Sequence, residues 1–237
     1  MELSKRLYAV SALVSDGMIV ADVGTDHGYI PIYLAESGRI PSAIAMDINH
    51  GPLERAEAHI RMYHLEKKIQ TRLSDGVKSL TPGECDCVVA AGMGGALIIK
   101  IMEEGEAVFK NLKEFILQPQ SEIAKVRQYL CEHQYRIIKE DMVLEDGKFY
   151  PMMKVVNRES EAYDITELQY GKLLLKEQNS VLKLFLEKEQ KTKERILEKL
   201  SEEEGEQIIQ RKKELTDEIA QIKRVLGIYE GRETYAL

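Results

Sequence analysis

The first two-thirds of the chain alternates between short apolar runs and helical patterns, and this alternation restricts its fold more than any other feature. Apolar runs at 18–23, 43–46, 69–73, 87–91 and 115–117 each end in a turn signal, and most lead into an amphipathic stretch such as PLERAEAHIRMYH or GALIIKIMEEGEAVF. Strands separated by crossovers of that length predict a parallel sheet covered by helices. Near Tyr135 the pattern changes. YRIIKEDMVLEDGKFYPMMKVV is two extended runs around Asp146-Gly147, a hairpin signal. Five crossover strands closed by an antiparallel pair predict a seven-stranded α/β sheet. Ahead of them, Leu3, Leu7, Val10 and Val14 recur at helical spacing, with Ser4 as the expected cap.

Beyond Val156 the composition shifts to Leu, Lys, Glu and Gln. In the last part, Ile208, Lys212, Leu215, Ile219, Ile222, Leu226 and Tyr229 alternate spacings of four and three, the seam of a coiled coil. Leu175, Leu182, Leu186, Ile196 and Leu200 form a similar seam in a first helix over 164–200. The turn expected between the two helices is SEEEG, residues 201–205. The predicted organisation is one α/β domain over 1–157 and an antiparallel coiled-coil helical hairpin over 158–237.

Charge and cysteine content narrow the function classes. The net charge of −7 comes from 18 basic and 22 acidic residues over 1–157 and 15 and 18 beyond. Neither part is a basic module that grips nucleic acid through bulk charge, so any such contact must be local. Cys85, Cys87 and Cys131 are odd in number and lack Cys-x-x-Cys spacing, which points to reduced thiols and away from a disulfide framework or a metal knuckle. KRLYAVSALV ends at Asp16-Gly17 before reaching signal-peptide form, and no run reaches membrane-spanning length. A cytoplasmic protein is expected, without membrane or metal partners and monomeric in preference to a stable oligomer.

The first strand leads into Asp22-Val23-Gly24-Thr25-Asp26-His27-Gly28 and then a helix. In open parallel sheets, ligands bind at the carboxyl ends of the strands, usually over this first turn. A dinucleotide fingerprint would place a second glycine where Asp26 stands. There its carboxylate would repel a pyrophosphate by about 1 to 4 kcal/mol, which disfavours a nicotinamide dehydrogenase. Asp47, 25 residues after Asp22, ends the second strand in AMDIN, where a carboxylate can accept both ribose hydroxyls. Ser74-Asp75-Gly76 ends the third strand, in a polar turn suited to an adenine amino group. Ala91-Gly92-Met93-Gly94-Gly95 ends the fourth, and its bare backbone permits close approach. Four strand ends meeting at an acidic crevice suit S-adenosylmethionine, which brings a sulfonium, an ammonium, a ribose and an adenine.

The series DVGTDHGYIP, AMDIN, LSDG and AGMGG, with LQPQ at 117–120 and the helical tail, closely resembles the bacterial tRNA adenine-22 N1-methyltransferase family over nearly the whole chain. The resemblance implies a Rossmann-like class I S-adenosylmethionine-dependent methyltransferase sheet and a tRNA substrate methylated at N1 of an adenine. The candidate cofactor residues are Asp22, Gly24, Thr25, Gly28, Asp47, Ile48, Asp75, Gly76, Gly92 and Met93. Asp26, with His27 and Tyr29 beside it, is the candidate catalytic group. Lys5, Arg6, Gln118 and Pro119 are candidates for substrate contact, though Gln118-Pro119 can equally be read as a strand stop. Arg39 is expected near the pocket rim, and the clusters Lys191-Lys193-Arg195 and Arg211-Lys212-Lys213 are candidate phosphate contacts. The Asn/Asp-Pro-Pro-aromatic motif of enzymes that methylate an exocyclic amino group is absent after the fourth strand. That departure fits a ring-nitrogen target. Two alternatives remain open: a methyltransferase acting on another RNA or a small molecule, and a coiled-coil interaction protein with a vestigial pocket.

Overall fold

The computed structural model describes residues 1–201 and 203–231. They divide into two compact units that meet in sequence between Asp164 and Ile165, against an expected boundary at 157/158.

In the first unit the chain runs α1 (Lys5–Leu13), β1 (Ile19–Val23), α2 (Tyr29–Glu36), β2 (Ser42–Asp47), α3 (His50–Met62), β3 (Ile69–Leu73) and β4 (Cys87–Gly94). It continues through α4 (Gly95–Glu104), α5 (Glu106–Phe109), β5 (Glu114–Ser121), α6 (Ile123–Glu132), β6 (Tyr135–Glu145) and β7 (Lys148–Asn157). The seven strands form one sheet in the order β3-β2-β1-β4-β5-β7-β6. The first five are parallel, and β7 pairs antiparallel with both β5 and β6. Strand order reverses between β1 and β4, so the loops after these two strands flank a natural crevice.

Val20 and Ala21 are both fully buried although successive strand residues face opposite ways, so β1 is covered on both sides. One core joins Val10 and Leu13 of α1, Ile32 and Leu34 of α2, and Val20, Ala45 and Val89 of the central strands. Ser4 caps α1, its hydroxyl accepting from the Leu7 amide at 3.3 Å. Cys85 and Cys87 are buried. No helix among the described residues is long and apolar enough to cross a membrane.

Three expectations need correction. β4 continues through the expected turn to Gly94, and β5 passes through Pro119 to Ser121. The pairing shifts register at Ala91/Met93 and again at Met93/Gly94, and this irregularity accommodates a proline that a regular ladder would reject. The stretch 95–109 is two helices, broken at Gly105. A side chain there would put its Cβ 2.2 Å from Val77 Cγ2.

In the second unit, the helix expected over 164–200 is three: α7 (Ile165–Tyr170), α8 (Lys172–Lys176) and α9 (Ser180–Leu200). The breaks coincide with Gly171 at φ 95°, Gln178 at φ 49°, and Asn179, whose side chain caps α9 by accepting from Val181 and Leu182. α10 (Glu206–Tyr229) then runs back along α9. Lys193 pairs with Glu218 at 2.7 Å, Lys223 with Glu194 at 2.9 Å, and Tyr229 donates to the Asn179 carbonyl at 3.1 Å. These pairings define an antiparallel helical hairpin. Its buried line is Leu182 and Leu186 on α9 and Leu215, Ile219, Ile222 and Val225 on α10.

Candidate active site

The turn after β1 is fastened to β2, because the amides of Gly24 and Thr25 both donate to the Met46 carbonyl at 2.8 and 2.9 Å. Gly24 and Gly28 lie in the left-handed region, at φ 73° and 71°. A Cβ on Gly24 would come 2.4 Å from Met93 Cε, the flexible end of a β4 side chain that would have to shift, and the left-handed φ itself favours glycine here. Asp26 also adopts a left-handed φ of 47°.

A cleft of about 170 Å³ opens over this turn, lined by Arg6 and Leu7 of α1, Asp22, Gly24, Thr25, Asp26, His27, Tyr29 and Ile30 of the first strand-turn-helix, and Ala91 of β4. Asp22 is only 3% exposed. Burial pushes its carboxyl up to about 6; a 2.6 Å hydrogen bond from the Thr25 hydroxyl works against this, and the charge of Asp47 adds to it. The group therefore changes charge close to neutrality.

His27 and Tyr29 of the lining and His59 of α3 lie nearly parallel, with His27 and Tyr29 at 5.0 Å and 6°. His59 Nδ1 is 2.9 Å from the His27 carbonyl, whereas His27 Nδ1 is buried with no partner among the described residues. Arg55 pairs with Asp26 Oδ1, and His27 Nε2 lies 3.6 Å from Asp26 Oδ2. Arg55 and His59 are one turn apart on α3, so both reach this side. Sequence reasoning named neither. Their four-residue spacing after the second strand end was the available signal.

The remaining candidates lie along the same edge of the sheet. Asp47 ends β2, its Oδ1 accepting from the Asn49 amide at 2.8 Å, and Ile48 beside it is exposed. Lys78 binds the Asp75 carboxylate and holds it below the usual range. Gly76, at φ 58°, packs under Ile101. Gln118 is fully buried, with its Oε1 accepting from Arg6 Nη1 at 3.0 Å and from the Gly92 amide at 3.1 Å. It reaches the cleft through Arg6. Lys5 is exposed, and its amide donates to Glu145.

Several expected cations lie elsewhere or are already engaged. Arg39 precedes β2, at the opposite edge of the sheet from the cleft, where it binds Asp16 and the Ser11 and Val14 carbonyls. Lys193 bridges Glu189 and Glu218, Arg211 bridges Glu214 and Glu218, and Lys212 donates to the Ser201 and Glu203 carbonyls. Those side chains hold the hairpin together. Lys188, Lys191 and Arg195 instead line an open groove along α9.

The donor set fits a nucleoside carrying an amino-acid end. Asp47 suits a diol, the side-chain-free turn at Gly24 permits contact with backbone, and Asp22 suits an ammonium. No cluster of ligands for a metal ion occurs among the described residues.

A family model described as a methyltransferase domain matches residues 3–153. The tRNA (adenine(22)-N(1))-methyltransferase of Bacillus subtilis is 35% identical over 233 residues, covering 95% of this chain and 98% of that protein. Among solved structures, Streptococcus pneumoniae Sp1610 in complex with S-adenosyl-L-methionine is 35% identical with a TM-score of 0.85, covering 95% of this chain and all of that one. M. capricolum TrmK, in complex with the natural cofactor product S-adenosyl-homocysteine, is 26% identical with a TM-score of 0.82, over 96% and 99% of the two chains. On its sequence and its fold together, the chain belongs to the tRNA (adenine(22)-N(1))-methyltransferase family.

Proposed function

We propose that the protein transfers a methyl group from S-adenosylmethionine to N1 of adenine 22 in tRNA, and that it acts as a monomer in the bacterial cytoplasm. The observation that carries this reading is the meeting, in one cleft, of the glycine turn, the buried Asp22 and the stacked rings of His27 and Tyr29.

S-adenosylmethionine supplies an electrophilic methyl on a cationic sulfur. Adenine N1 has an in-plane lone pair and needs no protein nucleophile, so the chain's task is alignment and charge stabilisation. Asp22 and Thr25 line the floor, Gly24 brings backbone close, and Asp47 holds the ribose. Tyr29 and His27 offer their faces to the target base, since base-aromatic stacking contributes about 1 to 3 kcal/mol. Asp26, fixed by Arg55, accepts from the adenine amino group, favours the cationic product and takes its proton. Lys188, Lys191 and Arg195 meet backbone phosphates, and the base enters the cleft turned out of its stack.

The decisive experiment incubates the protein with labelled methyl donor and tRNA bearing A22, and with the same tRNA carrying G22. Label at position 22 of the first alone, as N1-methyladenine by mass mapping, is expected. Equal labelling of both would refute the assignment.

A further inference from the structure

The first turn of α1 shows one face to the cleft and another to solvent. Arg6 and Leu7 line the cleft, with the Arg6 guanidinium donating to Gln118 Oε1 at 3.0 Å and lying 5.6 Å from the Tyr150 ring centroid. Lys5 and Tyr8, three residues apart and so on one side of the helix, are exposed. Tyr8 leaves 56% of its surface open, and α1 is anchored without it, through the buried Ala9, Val10, Ser11 and Leu13. The Tyr8 ring meets that of Tyr33 on α2, with centroids 6.0 Å apart and planes at 70°. Tyr33 is half-buried and packs against the core, which makes it a fixed prop. It follows Tyr29 by four residues on the same face of α2, and Tyr29 both lines the cleft and stacks on His27. A run of rings therefore leads out of the cleft, from His27 through Tyr29 and Tyr33 to Tyr8. Lys5 stands beside its outer end, and the Lys5 ammonium has no carboxylate partner among the described residues.

We propose that Tyr8, propped by Tyr33, is a second nucleobase site: it stacks the base next to the one that enters the cleft, with Lys5 against the phosphate between them. The site rests on the reading of the protein as a tRNA methyltransferase and deepens it. A base turned out of its stack leaves its neighbour with a bare face, and a ring just outside the cleft covers that face in place of the lost base. A ring for the base and a cation for the backbone are the elements of a single-strand platform, which accepts any base because every base has a π-face. Tyr8 would thus hold the strand open without choosing the target. The patch suits a base better than a protein, because two rings and one lysine fall far short of the roughly 800 Å² that each partner brings to a stable protein interface.

Steady-state kinetics with tRNA and calorimetry with S-adenosylhomocysteine test this together. Tyr8→Ala is expected to raise the KM for tRNA about five- to hundred-fold, the range for losing one base–aromatic stack, with S-adenosylhomocysteine affinity as in the wild type. Tyr8→Phe should restore the wild-type KM, because the ring face is what binds. Two tRNAs carrying 2-aminopurine, whose fluorescence is quenched by stacking, on one side or the other of adenine 22 locate the base. At saturating protein, one of them should be brighter on Tyr8→Ala than on the wild type or Tyr8→Phe. A wild-type KM in Tyr8→Ala would overturn the proposal. So would an equal loss in Tyr8→Phe, which would assign the hydroxyl, a parallel loss of S-adenosylhomocysteine affinity in Tyr8→Ala, which would mean a displaced helix, or equal brightness on all three proteins for both tRNAs. If the wild type methylates no tRNA, the functional reading falls and this site with it; if it methylates tRNA and Tyr8→Ala does so at the same KM, only this site falls.

Discussion

Asp22 lies on the central strand with its carboxyl raised to about 6 by burial, and this has opposite consequences for stability and for binding. The folded protein holds that proton more tightly than the unfolded chain. The stability it contributes is fully present below about pH 4 and is lost as pH rises through about 6, up to about 3 kcal/mol for a shift of this size. Asp22→Asn should therefore melt higher than wild type at pH 7, with the difference shrinking toward pH 4. Binding runs the other way, because an ammonium is attracted only to the ionised form. S-adenosylhomocysteine affinity should fall as pH drops below about 6 in the wild type and stay flat in the variant, as titration calorimetry would record. Asp47→Ala should abolish binding while the circular dichroism spectrum stays unchanged, since its Oδ1 supports only the local Asn49 turn. Wild-type affinity in that variant would remove the ribose assignment. Asp22 and Asp47 were legible in the sequence because each sits at a strand end. Arg55 and His59 were not singled out, because what marks them is an ion pair with Asp26 and a ring stack with His27, 29 and 32 positions away.

At the scale of elements, α6 and β6 share a buried pairing of Arg127 with Glu140, at 2.8 Å and essentially without solvent. Removing one partner of a buried pair leaves a charge without compensation, at a cost of about 3 to 5 kcal/mol. Arg127→Met should lower the urea midpoint strongly, and Arg127→Met with Glu140→Leu should recover most of the loss. If the double variant is no better than the single, the pair is not what matters between these two elements. All seven strands were legible from apolar runs and turn signals. The extensions of β4 and β5 were not, because Gly92 and Pro119 read as turn signals, whereas the strands run on with Met93 opposite Pro119 across a bulge that skips Gly92 and that only the tertiary structure reveals. The same limit applies to the tail. Leucine periodicity continues across residues 171–179, but one glycine and one left-handed glutamine break the backbone there.

For the molecule as a whole, the division at Asp164 separates donor chemistry from the groove on α9. A chain ending at residue 164 should keep its affinity for S-adenosylhomocysteine and lose much of its affinity for tRNA. Each phosphate that the hairpin no longer neutralises should reduce the slope of log affinity against log salt by about 0.7 to 0.9. Unchanged tRNA binding in the truncated chain would deny the hairpin any part in holding the substrate. The link between Arg6 and Gln118 spans 112 residues, and Tyr150 lies farther along still. During synthesis the first helix therefore leaves the ribosome long before its holders do, and Arg6 cannot be fully held until the seventh strand has emerged. A polypeptide stalled between the second and seventh strands would carry its glycine turn fastened while that guanidinium still lacked its full set of holders.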